Sequence, residues 1–325
     1  MKHTARPGIP MRVVLIALFV ILSLFSLSIG VKDFSLLGLL KGNEQDIYIT
    51  IISRLPRLMS SIIAGASLSI AGLIMQTITN NKFVSPSTAG TMEWCRFGIM
   101  LSILIVGNQS KMSKMLLAFI ISLAGTFLFL QILQKIPLKS PIMVPLIGMM
   151  LGNVVSSITG FIAYQFDIIQ NISSWLQGSF SLVVKGRYEL LYLGIPVLFI
   201  AYLYAGKFTI AGMGKDFATN LGLNHKWVVM VGLTIVSFIT TLVVITVGSI
   251  PFIGLIVPNI VALYKGDNLK HTLLDTVLIG TIFVLFCDIL GRVILYPYEV
   301  SISIVISILG SIVFLFVLFK RRTAL

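Results

Sequence analysis

Ten residues, Ile250-Pro-Phe-Ile-Gly-Leu-Ile-Val-Pro-Asn259, restrict this chain more than any other stretch. The run is almost wholly apolar and belongs in a dry environment, yet it holds Pro251, Gly254 and Pro258. Proline has no amide hydrogen to donate, and its ring collides with the carbonyl four residues back, so a helix carrying it is kinked or broken. In water such a run reads as a turn. In a bilayer every backbone polar group must find a partner inside the protein, so a broken apolar helix survives only against other protein or around a cavity. Discontinuous helices of that kind mark transporters.

Composition decides between water and lipid. Of the 325 residues, 57% are hydrophobic and 11% charged, against roughly 25% charged in soluble domains. That much apolar surface cannot be hidden in a soluble core, so the expected fold class is all-α and polytopic. Apolar stretches near the bilayer-crossing length of about 20 residues recur along the whole chain. They predict ten spans at 13–30, 55–78, 89–106, 112–133, 141–164, 190–205, 228–247, 252–264, 273–290 and 302–319, the eighth too short for a regular crossing. The stretches between them are too short for a soluble domain, so 1–325 reads as one transmembrane domain. The basic start followed by an apolar run resembles a signal peptide, but the run is long for one and no Ala-x-Ala site follows it, which favours a retained first span.

Ten crossings return both termini to one side. That side carries 15 of the 24 Lys and Arg residues, with Lys320-Arg-Arg322 closing the chain, which makes it the cytoplasmic one. The net charge of +13 is therefore read as loop bias, and nucleic acid is not an expected partner. His3, His225 and His271 are scattered, and Cys95 and Cys287 lie in or beside apolar spans. No metal-ligand spacing and no disulfide framework follow. A phosphate-binding G-x-x-x-x-G-K-[ST] loop is also missing, since Asp216 follows Gly214-Lys215. Any ATP hydrolysis must then occur on another chain.

Two segments stand out as contact sites. Between spans six and seven, Phe217, Ala218 and Leu221 fall at helical spacing and Gly222 is placed to end the turn. This short helix either lies on headgroups or docks a cytoplasmic partner. At the outer end of span two, Arg54-Leu-Pro-Arg57 presents two guanidiniums that either snorkel or meet an acidic partner, and Arg292 faces the same way. Asp288 is read as the one acid deep in a span. An ion pair with Arg292, one helical turn on, is its economical explanation; a proton or sodium relay is the alternative. Gln76, Asn80, Glu93 and Asn153 are the polar residues in or beside spans, and with Pro251, Gly254 and Pro258 they are the candidates for a path or gate.

Together these segments resemble the permease subunits of bacterial ABC importers for iron–siderophore complexes, haem and vitamin B12. The resemblance rests on Arg54-Leu-Pro-Arg57 followed by Gly65, Ala66 and Gly72, and on Asn81…Pro86…Gly90. It continues through Trp175-Leu-Gln-Gly-Ser179, Gly214…Ala218…Leu221-Gly222, Gly248-Ser-Ile-Pro-Phe-Ile-Gly-Leu-Ile-Val-Pro-Asn-Ile260, Gly266-Asp-Asn and Asp288…Arg292. The segment Lys82-Phe-Val-Ser-Pro-Ser-Thr-Ala-Gly-Thr-Met-Glu-Trp94 is most similar to Gram-positive permeases for catechol-type siderophores such as petrobactin. Lys82, Glu93, Trp94, Lys215-Asp216 and Asn259 depart from the common family pattern.

The resemblance implies a type II ABC importer permease fold and a second permease subunit, with a paralogue expected. It also implies two cytoplasmic ATPases that hold the ATP, an extracellular or periplasmic substrate-binding lipoprotein, and no cofactor on this chain. By position, Arg54, Arg57 and Arg292 would dock the binding protein, and Gly214 to Gly222 would be the coupling helix. The competing expectation is a gradient-driven secondary transporter using Asp288. An intramembrane enzyme is disfavoured, because no paired catalytic acids or Ser/His dyad are present.

Overall fold

The computed structural model describes residues 11–30, 41–107, 110–135, 143–266 and 268–322. His3, Asp267 of the Gly266-Asp-Asn motif, and Lys2, Arg6, Lys32 and Lys139 among the 24 basic residues lie outside them. Among the described residues there are helices and turns and no strand, with one isolated parallel bridge between Gln177 and Ser249.

The helices, in chain order, are α1 (Met11–Ser28), α2 (Glu44–Ile49), α3 (Leu55–Ile78), α4 (Thr91–Val106), α5 (Lys111–Lys135), α6 (Met143–Gln165) and α7 (Ile169–Leu176). They continue as α8 (Gly194–Gly212), α9 (Lys215–Asn220), α10 (His225–Val247), α11 (Ile253–Lys265), α12 (Leu269–Val293) and α13 (Ile302–Arg322). Eight of them are long and apolar enough to cross a membrane. The two short members of the bundle are α4 and α11, 16 and 13 residues long. At 1.5 Å per residue they reach only about 24 and 20 Å, against a hydrocarbon core of about 30 Å. In both cases chain outside the α-helices precedes the helix: 79–90 leads into α4 and 248–252 into α11. Each of the ten stretches expected from hydropathy holds a helix, and eight of these are long and apolar enough to span. The short α7 and the π-helical turn Thr50–Arg54 leading into α3 were not anticipated.

The central helix is α3. Its serines 60, 61, 67 and 69 are fully buried, as are Ala64, Ala71 and Ile74. Small residues let neighbouring backbones come close, the main source of helix association where lipid offers no hydrophobic drive. One such close approach is between Gly72 of α3 and Gly254 of α11. A β-carbon on Gly72 would stand 1.9 Å from the Gly254 carbonyl oxygen. On the outside of the bundle, α1, α6, α8 and α13 expose Leu, Ile, Phe and Val side chains along their length. That outward apolar surface is what lipid requires and water forbids.

Two ion clusters fix the ends. At one end α1 finishes, α3 begins, α12 finishes and α13 begins. There Arg57 and Arg292 meet Asp288. At the other end Asp275, fully buried at the start of α12, is paired with Arg12 of α1 (3.2 Å) and with Lys265 of α11. The reading of Asp288 as the one acid deep in a span is thereby corrected. Asp275 is equally buried, because α1 and α11 close over the first turn of α12, an arrangement that hydropathy does not encode.

Candidate functional site

The opening motif surrounds a cavity. From Gly248 the chain runs extended beside Gln177, with the Ser249 amide donating to the Leu176 carbonyl (2.9 Å) and the Ser179 amide to that of Val247 (3.0 Å). Trp175 Nε1 donates to the Ile245 carbonyl (2.9 Å). The 175–179 and 248–260 motifs, far apart in sequence, are thus one local structure. At Phe252 the backbone turns left-handed (φ 66°), and the Ile253 amide closes on the Pro251 carbonyl at 2.8 Å. For a non-glycine residue this costs on the order of 1–2 kcal/mol. The turn converts extended chain into α11 halfway through the bundle.

Inside α11, Pro258 cannot hydrogen-bond to the carbonyl of Gly254. A side chain from another helix does so instead. Gln76 of α3, 2% exposed, donates Nε2 to the carbonyls of Gly254 (3.2 Å) and Leu255 (3.1 Å). Asn259 donates to the Leu255 carbonyl (2.7 Å) and to that of Lys82 (2.8 Å), pinning the 79–90 segment to α11. The two irregular segments are therefore held to each other and to α3 by amide side chains. Replacing Gln76 with leucine keeps the bulk and removes the donor. The expected result is a loss of about 1–3 kcal/mol, the cost of a buried unsatisfied carbonyl, measured as a lower melting temperature of the detergent-solubilised protein.

These irregular segments, with α4, α6 and α10, enclose a cavity of about 530 Å³. Glu93, Asn153, Pro251 and Gly254, all path candidates, line it together with Ser85, Ser87, Thr240 and Ser249. The remaining candidates lie elsewhere. Gln76 sits behind the cavity wall, Pro258 is buried within α11, and Asn80 is exposed past the far end of α3. The volume suits a small-molecule site. Among the described residues no group of three His, Cys, Asp or Glu could hold a metal ion.

The outer arginines are built into the fold. Arg57 Nη2 pairs with Asp288 (2.8 Å) and Nη1 with Glu299 (2.9 Å). Arg292 pairs with Asp288 (2.7 Å) and donates to the carbonyls of Ser26 (2.8 Å) and Ile29 (2.9 Å). Arg54 is buried and donates to the Leu27 carbonyl. The expected Asp288–Arg292 pair is present, but sequence gave no sign of its third member, Arg57, 231 residues away. The picture of three guanidiniums presented at the surface is corrected: carbonyls closing α1 and two acids from the α12–α13 end occupy them. Arg57, reaching the rim beside Glu299, is the one with surface access.

At the opposite end, α9 forms as expected. Gly222 is left-handed (φ 76°), and the Leu223 amide returns to the Ala218 carbonyl at 3.0 Å, closing the turn. Ala218 is buried against the bundle, while Met213, Phe217 and Leu221 point outward.

With this geometry in place, likeness to other proteins becomes informative. The profile of the FecCD transport family matches residues 15–320. This chain belongs to that family. It is 59% identical over 308 residues to the petrobactin import system permease protein YclN of Bacillus subtilis, covering 95% of this chain and 98% of the relative. It is 40% identical over 282 residues to the ferric-anguibactin transport system permease protein FatD of Vibrio anguillarum, covering 87% and 90%. A solved structure described as an inward-facing, metal-chelate-type ABC transporter superposes with a TM-score of 0.80 at 24% identity, covering 95% of this chain and 98% of that one. The all-α permease fold of a multi-pass membrane protein is thus established.

Proposed function

We propose that this chain is the permease subunit of an ATP-driven importer of iron–siderophore complexes, with catechol-type chelates as cargo and the cavity beside α11 as part of their path. The observation that carries the proposal is the 59% identity, spread over nearly the whole of both chains, to a petrobactin import permease. In this reading α9 faces the cytoplasm, which puts both termini there as well. A binding lipoprotein docks at the Arg57–Glu299 rim, a second permease completes the path, and two ATPases hold the ATP. The chain itself binds no cofactor.

The test is uptake of a radioiron-labelled ferric bis-catecholate by cells lacking the chromosomal gene and carrying it on a plasmid. Uptake should return with the gene and persist when an ionophore collapses the ion gradients while ATP is held constant. Loss of uptake under the ionophore would favour the gradient-driven alternative and sink this reading.

The exposed face of α9 gives a second expectation. Phe217→Asp with Leu221→Asp changes outward-pointing side chains only, so the permease should fold and melt as before. Co-purification of the ATPase should fall by at least roughly tenfold, as when apolar anchors leave an interface. Undiminished co-purification would remove α9 from the coupling surface.

A further inference from the structure

We infer that Glu93 is a charge selector in the cavity, favouring iron chelates that carry a protonated amine over chelates of the same size without one. The inference rests on the cavity being the transport path. Among the described residues lining the cavity, Glu93 alone is charged; the other polar side chains are hydroxyls and the Asn153 amide. It stands in the first turn of α4, half-buried, with its carboxylate against the backbone of α6. A β-carbon on Gly152 would lie 3.2 Å from Glu93 Oε2. Among the described residues no cation forms an ion pair with it, in contrast to Asp275 and Asp288, each of which holds two. A half-buried carboxylate with no ion-pair partner is left available to a cationic group entering the cavity.

The chemistry of this acid limits what it recognises. One carboxylate surrounded by hydroxyls does not make a ferric site, which needs several oxygen anions around one metal. A wholly anionic chelate would be repelled. A chelate whose anionic iron centre faces away and whose linker brings an ammonium group to Glu93 gains a charge-assisted hydrogen bond, about twice as strong as a neutral one. Asn153 and the serine hydroxyls can accept further N–H groups of the same linker.

The experiment uses cells carrying the complete importer and two matched radioiron chelates. Both are bis-catecholates on a linear triamine linker, one with the central nitrogen free and one with it acetylated. Wild type should take up the free-amine chelate roughly tenfold better at sub-saturating concentration, as one charge-assisted hydrogen bond provides. Glu93→Gln should erase that preference by slowing the free-amine chelate alone, and Glu93→Asp should retain it. Affinity of the binding protein for each chelate is measured separately, and the preference is corrected for any difference. A preference that survives Glu93→Gln, or an equal fall for both chelates, overturns the inference while leaving the path intact. Failure of wild type to import either chelate overturns the transport reading and the inference with it.

Discussion

Gly72→Ala is expected to abolish most transport and to lower the stability of the permease by at least about 1–3 kcal/mol, the usual cost of forcing extra atoms into a packed interior. The added methyl carbon would lie 1.9 Å from the Gly254 carbonyl oxygen and 2.4 Å from its carbonyl carbon and α-carbon. All three are backbone atoms, so no rotamer change relieves the clash and α11 must move away from α3. Moving it pulls the Gly254 and Leu255 carbonyls off Gln76, whose bonds to them are already 3.2 and 3.1 Å. One methyl therefore opens the interface and exposes the carbonyl that Pro258 left without a donor. It also displaces Gly254 and Phe252 at the cavity wall. The control is Gly160→Ala in α6, where a β-carbon meets nothing within 4 Å. That variant should keep wild-type uptake and melt at the same temperature or slightly higher, because alanine is the better helix former. If Gly72→Ala matches Gly160→Ala in both assays, the α3–α11 contact does not organise the path.

The contrast between these two glycines also marks how far the sequence could be read. Their surroundings look alike in one dimension, since each lies in an apolar run of crossing length. Hydropathy located the eight crossing-length helices and the two shorter ones because the cost of putting polar groups in lipid is written residue by residue. The break in α11 was legible for the same local reason: Pro258 must orphan the carbonyl of residue 254. What supplies that carbonyl was not legible. Gln76 is 178 residues earlier, and nothing in its neighbourhood separates it from Asn80, another polar candidate, which proves to be exposed. Burial of Arg54 and Arg292 was missed because hydropathy places a guanidinium at the boundary. The open carbonyls at the end of α1, which draw both inward, belong to tertiary structure. The Asp288–Arg292 pair was found because it lies within one helical turn.

That pair leads to the second large effect. Asp288→Asn is expected to cost about 3–5 kcal/mol, the range found when one partner of a buried ion pair is removed and the other charge is stranded. Asp288 is 2% exposed and accepts from Arg57 at 2.8 Å and from Arg292 at 2.7 Å. Without its charge Arg292, itself 5% exposed, keeps only carbonyl and hydroxyl partners at the end of α1 and the backbone carbonyl of residue 288, while Arg57 keeps Glu299 at the rim. Arg292 should therefore bear most of the penalty. A double-mutant cycle separates the contributions. Adding Arg292→Met to Asp288→Asn removes the stranded cation and should recover more than half of the lost melting temperature, whereas adding Arg57→Met should recover less. The same variants discriminate between the two transport mechanisms. If Asp288 carried protons or sodium, Asp288→Asn/Arg292→Met would remain inactive however well it folded. If the acid only joins α3, α12 and α1, the refolded double variant should import the free-amine chelate at a rate within about threefold of wild type, a difference under 1 kcal/mol. Uptake that stays absent in a double variant of wild-type stability would assign Asp288 a role in transport beyond holding the helices together.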